Sequence, residues 1–344
     1  MNDTSTSQPR AARGAGESAR ADETAAAAAA RRARLGSLLK DAGLGIIFLA
    51  IVIGLTIASP NHSFLSLNNI FLILIQTSIN GILAMGVMYV IISGHIDLSV
   101  GSTVGLAGVA AALFAHPGEY PLVVPIVVGI LVGVAVGLVN GVGVAYGGIP
   151  SFIVTLGTLT AVRGLALMVS GGAPVANLSP EFQSLASGRV LGVPTLAIYF
   201  VVIAAFAAFV LRRTVFGRRV YALGGNPHAA EVSGIDVKRL TVSPFVIAGA
   251  LAGLCGVLLA SRTFTGSPTA GESYELDAIA AVVIGGVSMS GGRGRAIGVI
   301  IGALMIAVIA NGLDILGIDS NAQRLIKGAI IVLAVLIDVK SRRA

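Results

Sequence analysis

From Pro121 to Tyr146 the chain runs for 26 positions, PLVVPIVVGILVGVAVGLVNGVGVAY, without one charged side chain. As an α-helix this stretch is about 39 Å long and exceeds the ~30 Å hydrocarbon layer of a bilayer. Comparable runs recur near residues 43–59 and 194–211. Charged residues make up 11% of the 344, against roughly 25% in soluble domains, and the mean hydropathy is +0.92. That leaves too little polar surface to face water, so the fold class is an all-α polytopic membrane protein. The 45 glycines suit it, because small residues let helix backbones approach closely in lipid. With no tryptophan, the interfacial belt is thin and built from Tyr and Phe.

Ten apolar segments lie near 43–59, 69–92, 99–115, 121–146, 151–171, 194–211, 241–262, 277–290, 295–316 and 321–339. The third and eighth are short, and read as re-entrant or broken helices, which lipid tolerates only where protein buries them. Residues 1–40, rich in Ala, Arg, Ser and Thr, form a disordered or amphipathic cytoplasmic arm ahead of a membrane domain at 41–340. Alternating the loops from a cytoplasmic N-terminus puts Arg212, Arg213, Arg218, Arg219, Lys238, Arg239, Arg293 and Arg295 inside, while the outer loops keep Arg189, with Arg262 at an edge. That asymmetry is the positive-inside pattern, with both termini cytoplasmic. It also accounts for the net charge of +7 without a nucleic-acid partner. A weak repeat relates GLVNGVGVAYGGIPSFIVTLGTLTAVRGLALMV to VIANGLDILGIDSNAQRLIKGAIIVLAVLI, pairing Asn140 with Asn311, and SGHIDLSVGS to IGGVSMSGGRG. Five spans per half require the halves, about 41–190 and 194–340, to be inverted repeats, a transporter architecture.

Enzymatic chemistry finds no foothold. There is no GxxxxGK[ST], no GxSxG and no Cys/His set at metal-ligand spacing. The single cysteine, Cys255, makes no internal disulfide. Ionisable residues within apolar segments are functional candidates by default, and Asp97, Arg163 and Asp314 are those considered. Asp97, Ser99 and Ser102 precede an apolar helix and read as caps for its orphan N–H groups; a gating role, a proton relay or a metal site are the other readings. Arg163 either pairs with a helix C-terminus or a carboxylate, or lines a pathway. Gln76, Asn80, Asn140, Thr155, Thr158 and Asn311 either face a cavity or bond between helices; a pathway lined by such groups suits a neutral polyhydroxylated solute.

The loop 212–240 is the largest inner one. Within it NPHAAEVSGI reads as a short helix, capped by Asn226 with Pro227 at the first position and stopped by Gly234. A capped helix on a basic loop points to a docking element; a loop that only sets topology needs the arginines alone.

At these residues the chain resembles the permease subunits of bacterial ABC importers of the ribose-type monosaccharide family. SGHIDLSVGS, GIPSFIVTLGTLTAVRGLAL, GRRVYALGGNPHAAEVSGIDV and AIAAVVIGGVSMSGGRG carry the likeness, which covers about residues 44–340. The resemblance implies an inner-membrane protein working as two copies, a separate cytoplasmic ABC ATPase that binds ATP and Mg, a periplasmic sugar-binding protein, and no cofactor on this chain. It implies that Asn226, Pro227, Ala229, Ala230, Glu231, Ser233, Gly234 and Ile235 form the coupling helix, and that Asp97 shapes the inner end of the pathway. It also implies that Gly285, Gly286, Gly291 and Gly292 pack closely. Competing readings are a permease of the same superfamily for branched-chain amino acids, furanones or nucleosides, and an ion-coupled carrier.

Overall fold

The computed structural model describes residues 43–343; the arm at residues 1–40 lies outside the described residues. The chain divides into two compact units, Met1–Ala50 and Ile51–Ala344. The described part of the first, residues 43–50, begins helix α1 (Gly43–Ala58). The second unit holds a 3₁₀ turn (Pro60–Leu65), α2 (Leu67–Ile92), α3 (Val100–Leu113), α4 (Val123–Ala145), α5 (Ser151–Val169), α6 (Pro180–Ser187), a hairpin of β1 (Arg189–Val190) and β2 (Val193–Pro194), α7 (Thr195–Arg213), α8 (Val215–Gly225), α9 (Pro227–Val232), α10 (Val237–Thr263), α11 (Tyr274–Ile284), α12 (Ala296–Ile315) and α13 (Ser320–Arg343). The ten expected segments correspond to α1 to α5, α7 and α10 to α13. Among the described residues six helices, α2, α4, α5, α7, α10 and α12, are long and apolar enough to cross a membrane. The chain is an all-α, multi-pass membrane protein. In each set of five the second helix is the longest and the third the shortest: 26 and 14 residues for α2 and α3, 27 and 11 for α10 and α11.

The core is built where α10 crosses α4 and α3. α4 carries Gly129, Gly133, Gly137 and Gly141, one every four residues and therefore on one face. A methyl added at Gly133 would lie 2.8 Å from the Gly253 nitrogen, and one at Gly141 2.8 Å from the Val242 Cα. Gly249 and Gly253 reciprocate against the α4 backbone, while Gly256 sits 2.8 Å, by the same measure, from the Gly108 nitrogen of α3. The stripe was readable in the sequence, but its partner was not.

The eighth segment is short: its helix α11 ends at Ile284. Between the seventh and eighth segments the chain leaves helical geometry after Thr263, runs irregularly through residues 264–273 and re-enters a helix at Tyr274. This irregular stretch lies along α3 and runs against it. Gly266 packs on Ala112 and Val109 near one end of α3, and Gly271 packs on Gly101 and Val104 near the other. Two surface regions carry more structure than the sequence reading gave them. The loop 172–193 contains α6, capped by Ser179, whose hydroxyl accepts from the Phe182 N–H. The loop 212–240 contains α8 ahead of α9, and α8 is capped by Thr214, which accepts from the Gly217 N–H at 3.2 Å.

Gly133→Val should overpack the α4–α10 contact and cost about 1–3 kcal/mol or more. Gly157→Ala, at a position with nothing within 4 Å of the added methyl, should be tolerated. Cys255 is the sole cysteine and fully buried, so a thiol-reactive fluorophore during heating reads both outcomes.

Candidate functional site

The turn between α2 and α3 is organised by Asp97. Its Oδ1 accepts from the Ser99 N–H at 2.8 Å and from the Ser99 hydroxyl at 2.7 Å. Asn140 of α4 donates to the Ser99 hydroxyl oxygen at 2.7 Å and, more distantly, to Asp97 Oδ1 at 3.5 Å. All three side chains are buried. The sequence reading made Asp97, Ser99 and Ser102 joint caps of α3. Asp97 alone takes the N–H, in an Asx turn. Ser99 makes no side-chain cap bond, and Ser102 and Thr103 both donate back to the Ser99 carbonyl. The first turn of α5 clamps the same loop: Ser151 Oγ accepts from the Ile96 N–H at 3.2 Å, and Thr155 donates to Ser151 O at 2.9 Å and to Ile96 O at 3.4 Å. His95 packs its ring against Phe245, centroids 5.8 Å apart. Thr158 lies half-buried one turn along α5.

Other polar candidates sit apart. Asn311 of α12 and Asn69 of α2 exchange amide hydrogen bonds at 2.8 and 2.9 Å, so Asn140 and Asn311, paired by the repeat, have unlike surroundings. Gln76 Oε1, Asn80 Oδ1 and Asn140 Oδ1 are buried with no partner among the described residues. Asp314 accepts from Gln323 at 2.8 Å at the exposed end of α12. The sequence reading overlooked an ion pair within the apolar segments, Lys327 of α13 to the buried Asp277 of α11 at 2.9 Å. Its two members lie 50 residues apart in sequence, which hid the pairing.

At the basic end three loops converge. Gly292 N–H donates to Ile92 O at 2.8 Å, Gly291 packs on Gly94, and Gly224 fits against Ile92 O and Gly292 N. Two segments that the repeat had paired, SGHIDLSVGS and IGGVSMSGGRG, therefore meet on one side of the bundle, where an inverted pair would lie on opposite sides; helix order instead matches the α2–α3 turn with the α10–α11 connection. Gly285 packs on Gly298 as its neighbours suggested, but Gly286 has nothing within 4 Å and serves a positive φ of 80°. α8 is tied in by Tyr221, whose hydroxyl donates to Gly294 O at 2.7 Å. Burial raises the Tyr221 pKa above that of a free phenol, with Arg295 pulling against it, so the donor keeps its proton at neutral pH. Tyr89 of α2 donates to Ala207 O of α7 at 2.6 Å and packs its ring near Phe216 of α8.

α9 stands on this platform. Asn226 Oδ1 accepts from the Ala229 N–H at 3.0 Å, and Pro227 occupies the first turn. At the other end Gly234 adopts φ of 80°, Gly234 N–H bonds to Glu231 O and Ile235 N–H to Ala230 O, a Schellman stop. Ala230 is buried, Ile235 is half-buried against the core, and Pro227, Ala229, Glu231, Val232 and Ser233 are exposed. Around it the eight basic residues expected on the inner side, Arg212 through Arg295, are all exposed.

Away from that end, Arg163 of α5 reaches the irregular stretch 264–273. Its Nη1 donates to Pro268 O and, at 3.0 Å, to Ala270 O. The arginine thus supplies donors to a non-helical backbone that has lost its own. Glu272 and Glu275 lie close enough to interact with its charge. Neither a helix C-terminus nor a lone carboxylate had suggested this arrangement.

A multi-pass bundle with polar groups held between its helices and a capped helix presenting an exposed face at one end has the build of a membrane transport permease. The chain belongs to the family described as branched-chain amino acid transport system / permease component, which matches residues 69–335. It is 46% identical over 299 residues to the ribose import permease protein RbsC of Bacillus subtilis, covering 86% of this chain and 91% of that protein. It is 38% identical to the D-allose transport system permease protein AlsC of Escherichia coli, over 84% of this chain and 89% of the relative. To the xylose transport system permease protein XylH of Haemophilus influenzae it is 36% identical, over 87% and 96% respectively. No solved structure matches the chain.

Asp97→Asn should keep an acceptor for Ser99 and near-wild-type thermal stability. Asp97→Leu should orphan buried donors at about 1–3 kcal/mol each, lowering the unfolding temperature reported by Cys255. Equal and complete loss of transport in both, at normal expression, would mark a charge-specific role.

Proposed function

We propose that this chain is the membrane-spanning permease subunit of an ATP-driven importer that carries a simple sugar, ribose or a similar monosaccharide, into the cytoplasm. The observation that carries this reading is the similarity, over 84% or more of the chain, to permeases named for ribose, allose and xylose. In this reading the chain sits in the inner membrane with its basic end and both termini in the cytoplasm. It binds no cofactor; ATP and Mg²⁺ belong to a separate ABC ATPase subunit. Asn226 to Ile235 is the coupling helix, supported by its caps, its exposed face and its footing on three joined loops. A periplasmic sugar-binding protein meets the opposite end, where α6 and the hairpin lie. The two five-helix halves are inverted and change access by moving as units, with Asp97 and Asn140 stiffening the inner turn.

A second copy of the chain covers α5. Only 17% of the apolar stretch of α5 is buried, against 61% for α2, α10 and α12, which leaves its outer face, with Thr160 on it, to be covered.

The test is reconstitution with the neighbouring ATPase and binding protein. Ribose, xylose or allose should stimulate ATP hydrolysis and leucine should not; stimulation by leucine alone would reassign the cargo, in line with the family's description. Gly234→Val forces a branched side chain into a left-handed backbone at about 1–2 kcal/mol per residue. It should cut the stimulation roughly tenfold, the effect of 1.4 kcal/mol. Glu231→Ala should weaken assembly with the ATPase. Thr160→Cys should form a disulfide-linked dimer under mild oxidation, whereas Val202→Cys, on the exposed face of α7, should not.

A further inference from the structure

The irregular stretch 264–273 between α10 and α11 borders a half-open cavity of about 340 Å³, with α3 and α5 on its other sides. Its polar wall is Ser102, Arg163, Thr269, Glu272, Ser273 and Glu275; Leu159 and Leu167 of α5 supply an apolar side. The helix α3 makes room for it. A methyl at Gly105 would sit 2.7 Å from the Arg163 guanidinium, and one at Gly101 3.2 Å from the Glu275 carboxyl carbon, so both charged groups rest directly on glycine backbone.

We propose that this cavity is a transit subsite that holds one neutral polyol, a monosaccharide, on its way through the bundle. The inference rests on the importer reading and adds where on this chain the sugar is held. The volume lies at the low end of the ~300–1,000 Å³ of small-molecule sites, room for one sugar ring and not two. The wall matches the chemistry of a sugar. Two carboxylates accept from hydroxyls, Thr269 and Ser273 offer hydroxyls that accept and donate, Ser102, whose proton goes to the Ser99 carbonyl, accepts, and an apolar side suits the C–H face of a ring. Arg163 gives both Nη1 hydrogens to the carbonyls of Pro268 and Ala270, and keeps three further N–H donors of the five a guanidinium carries. One arginine against two carboxylates disfavours an anionic solute. Irregular backbone that borders a cavity, as the stretch 264–273 between α10 and α11 does, is a place where transporters make substrate contacts.

Thiol labelling tests this directly. Thr269 is exposed and Cys255 is buried, so Thr269→Cys gives one reactive thiol at the cavity. The complex with the ATPase is labelled with a maleimide, without binding protein, in the presence of ribose or leucine. Ribose at about twice its dissociation constant should slow labelling about threefold, by mass action, and leucine should leave it unchanged. Protection by leucine and not by ribose would overturn the polyol assignment. No protection by ribose, while the wild-type complex is still stimulated by ribose-loaded binding protein, would overturn the subsite and spare the importer reading; loss of that stimulation too would sink both. As a second variant, Leu159→Trp fills the cavity and should abolish ribose uptake into proteoliposomes; normal uptake would also overturn the subsite.

Discussion

The contact of α10 with α4 and α3 sets where the remaining elements can go. In lipid no hydrophobic effect draws helices together, so association depends on how closely their backbones pack. At Gly133, Gly249, Gly253 and Gly256 any side chain would overlap the facing backbone. The helices therefore meet at one depth and one rotation. That register places the start of α10, and with it α9, at the basic end, and its last residue, Thr263, where the irregular stretch must begin.

The cost of that stretch is unpaired backbone within a protein that lipid surrounds. It is met locally: Arg163 donates to Pro268 and Ala270, Gly266 and Val175 exchange backbone bonds at 2.9 and 3.0 Å, and short turns close the rest. Buried charge follows the same rule. Asp97 gathers donors from Ser99 and Asn140, and Asp277 takes Lys327. Arg163, Asp97 and Asp277, charged groups in greasy segments, are each answered by a partner from another element.

The basic end joins these parts mechanically. Gly94, Gly224, Gly291 and Gly292 bring the α2–α3 turn, the end of α8 and the α11–α12 loop into backbone contact, and Tyr221 adds a bond that holds at neutral pH. In the proposed importer, displacement of α9 by an ATPase would pass through this junction to α2, α3 and the half-length α11 together. Backbone contacts without intervening side chains leave little slack for such motion to be lost.

Long apolar runs, their basic flanks and the caps of α9 were legible in the sequence because each depends on residues adjacent in the chain. Lipid demands apolar length, Asn226 and Gly234 act on neighbours within one turn, and ten segments follow from counting. The four-residue glycine spacing of α4 also lay in plain view. What it packs on did not, since Gly249 and Gly253 are more than a hundred residues away. The helices α6 and α8 were missed because their apolar content is low, and the pairs Arg163 with Pro268 and Asp277 with Lys327 because they join separate elements. The sequence by itself determined that this chain crosses a membrane many times and presents a capped helix on a basic loop. Only the tertiary structure decided that the connection between the seventh and eighth segments lies along α3 and borders a cavity with Arg163, because that requires backbones distant in sequence to meet.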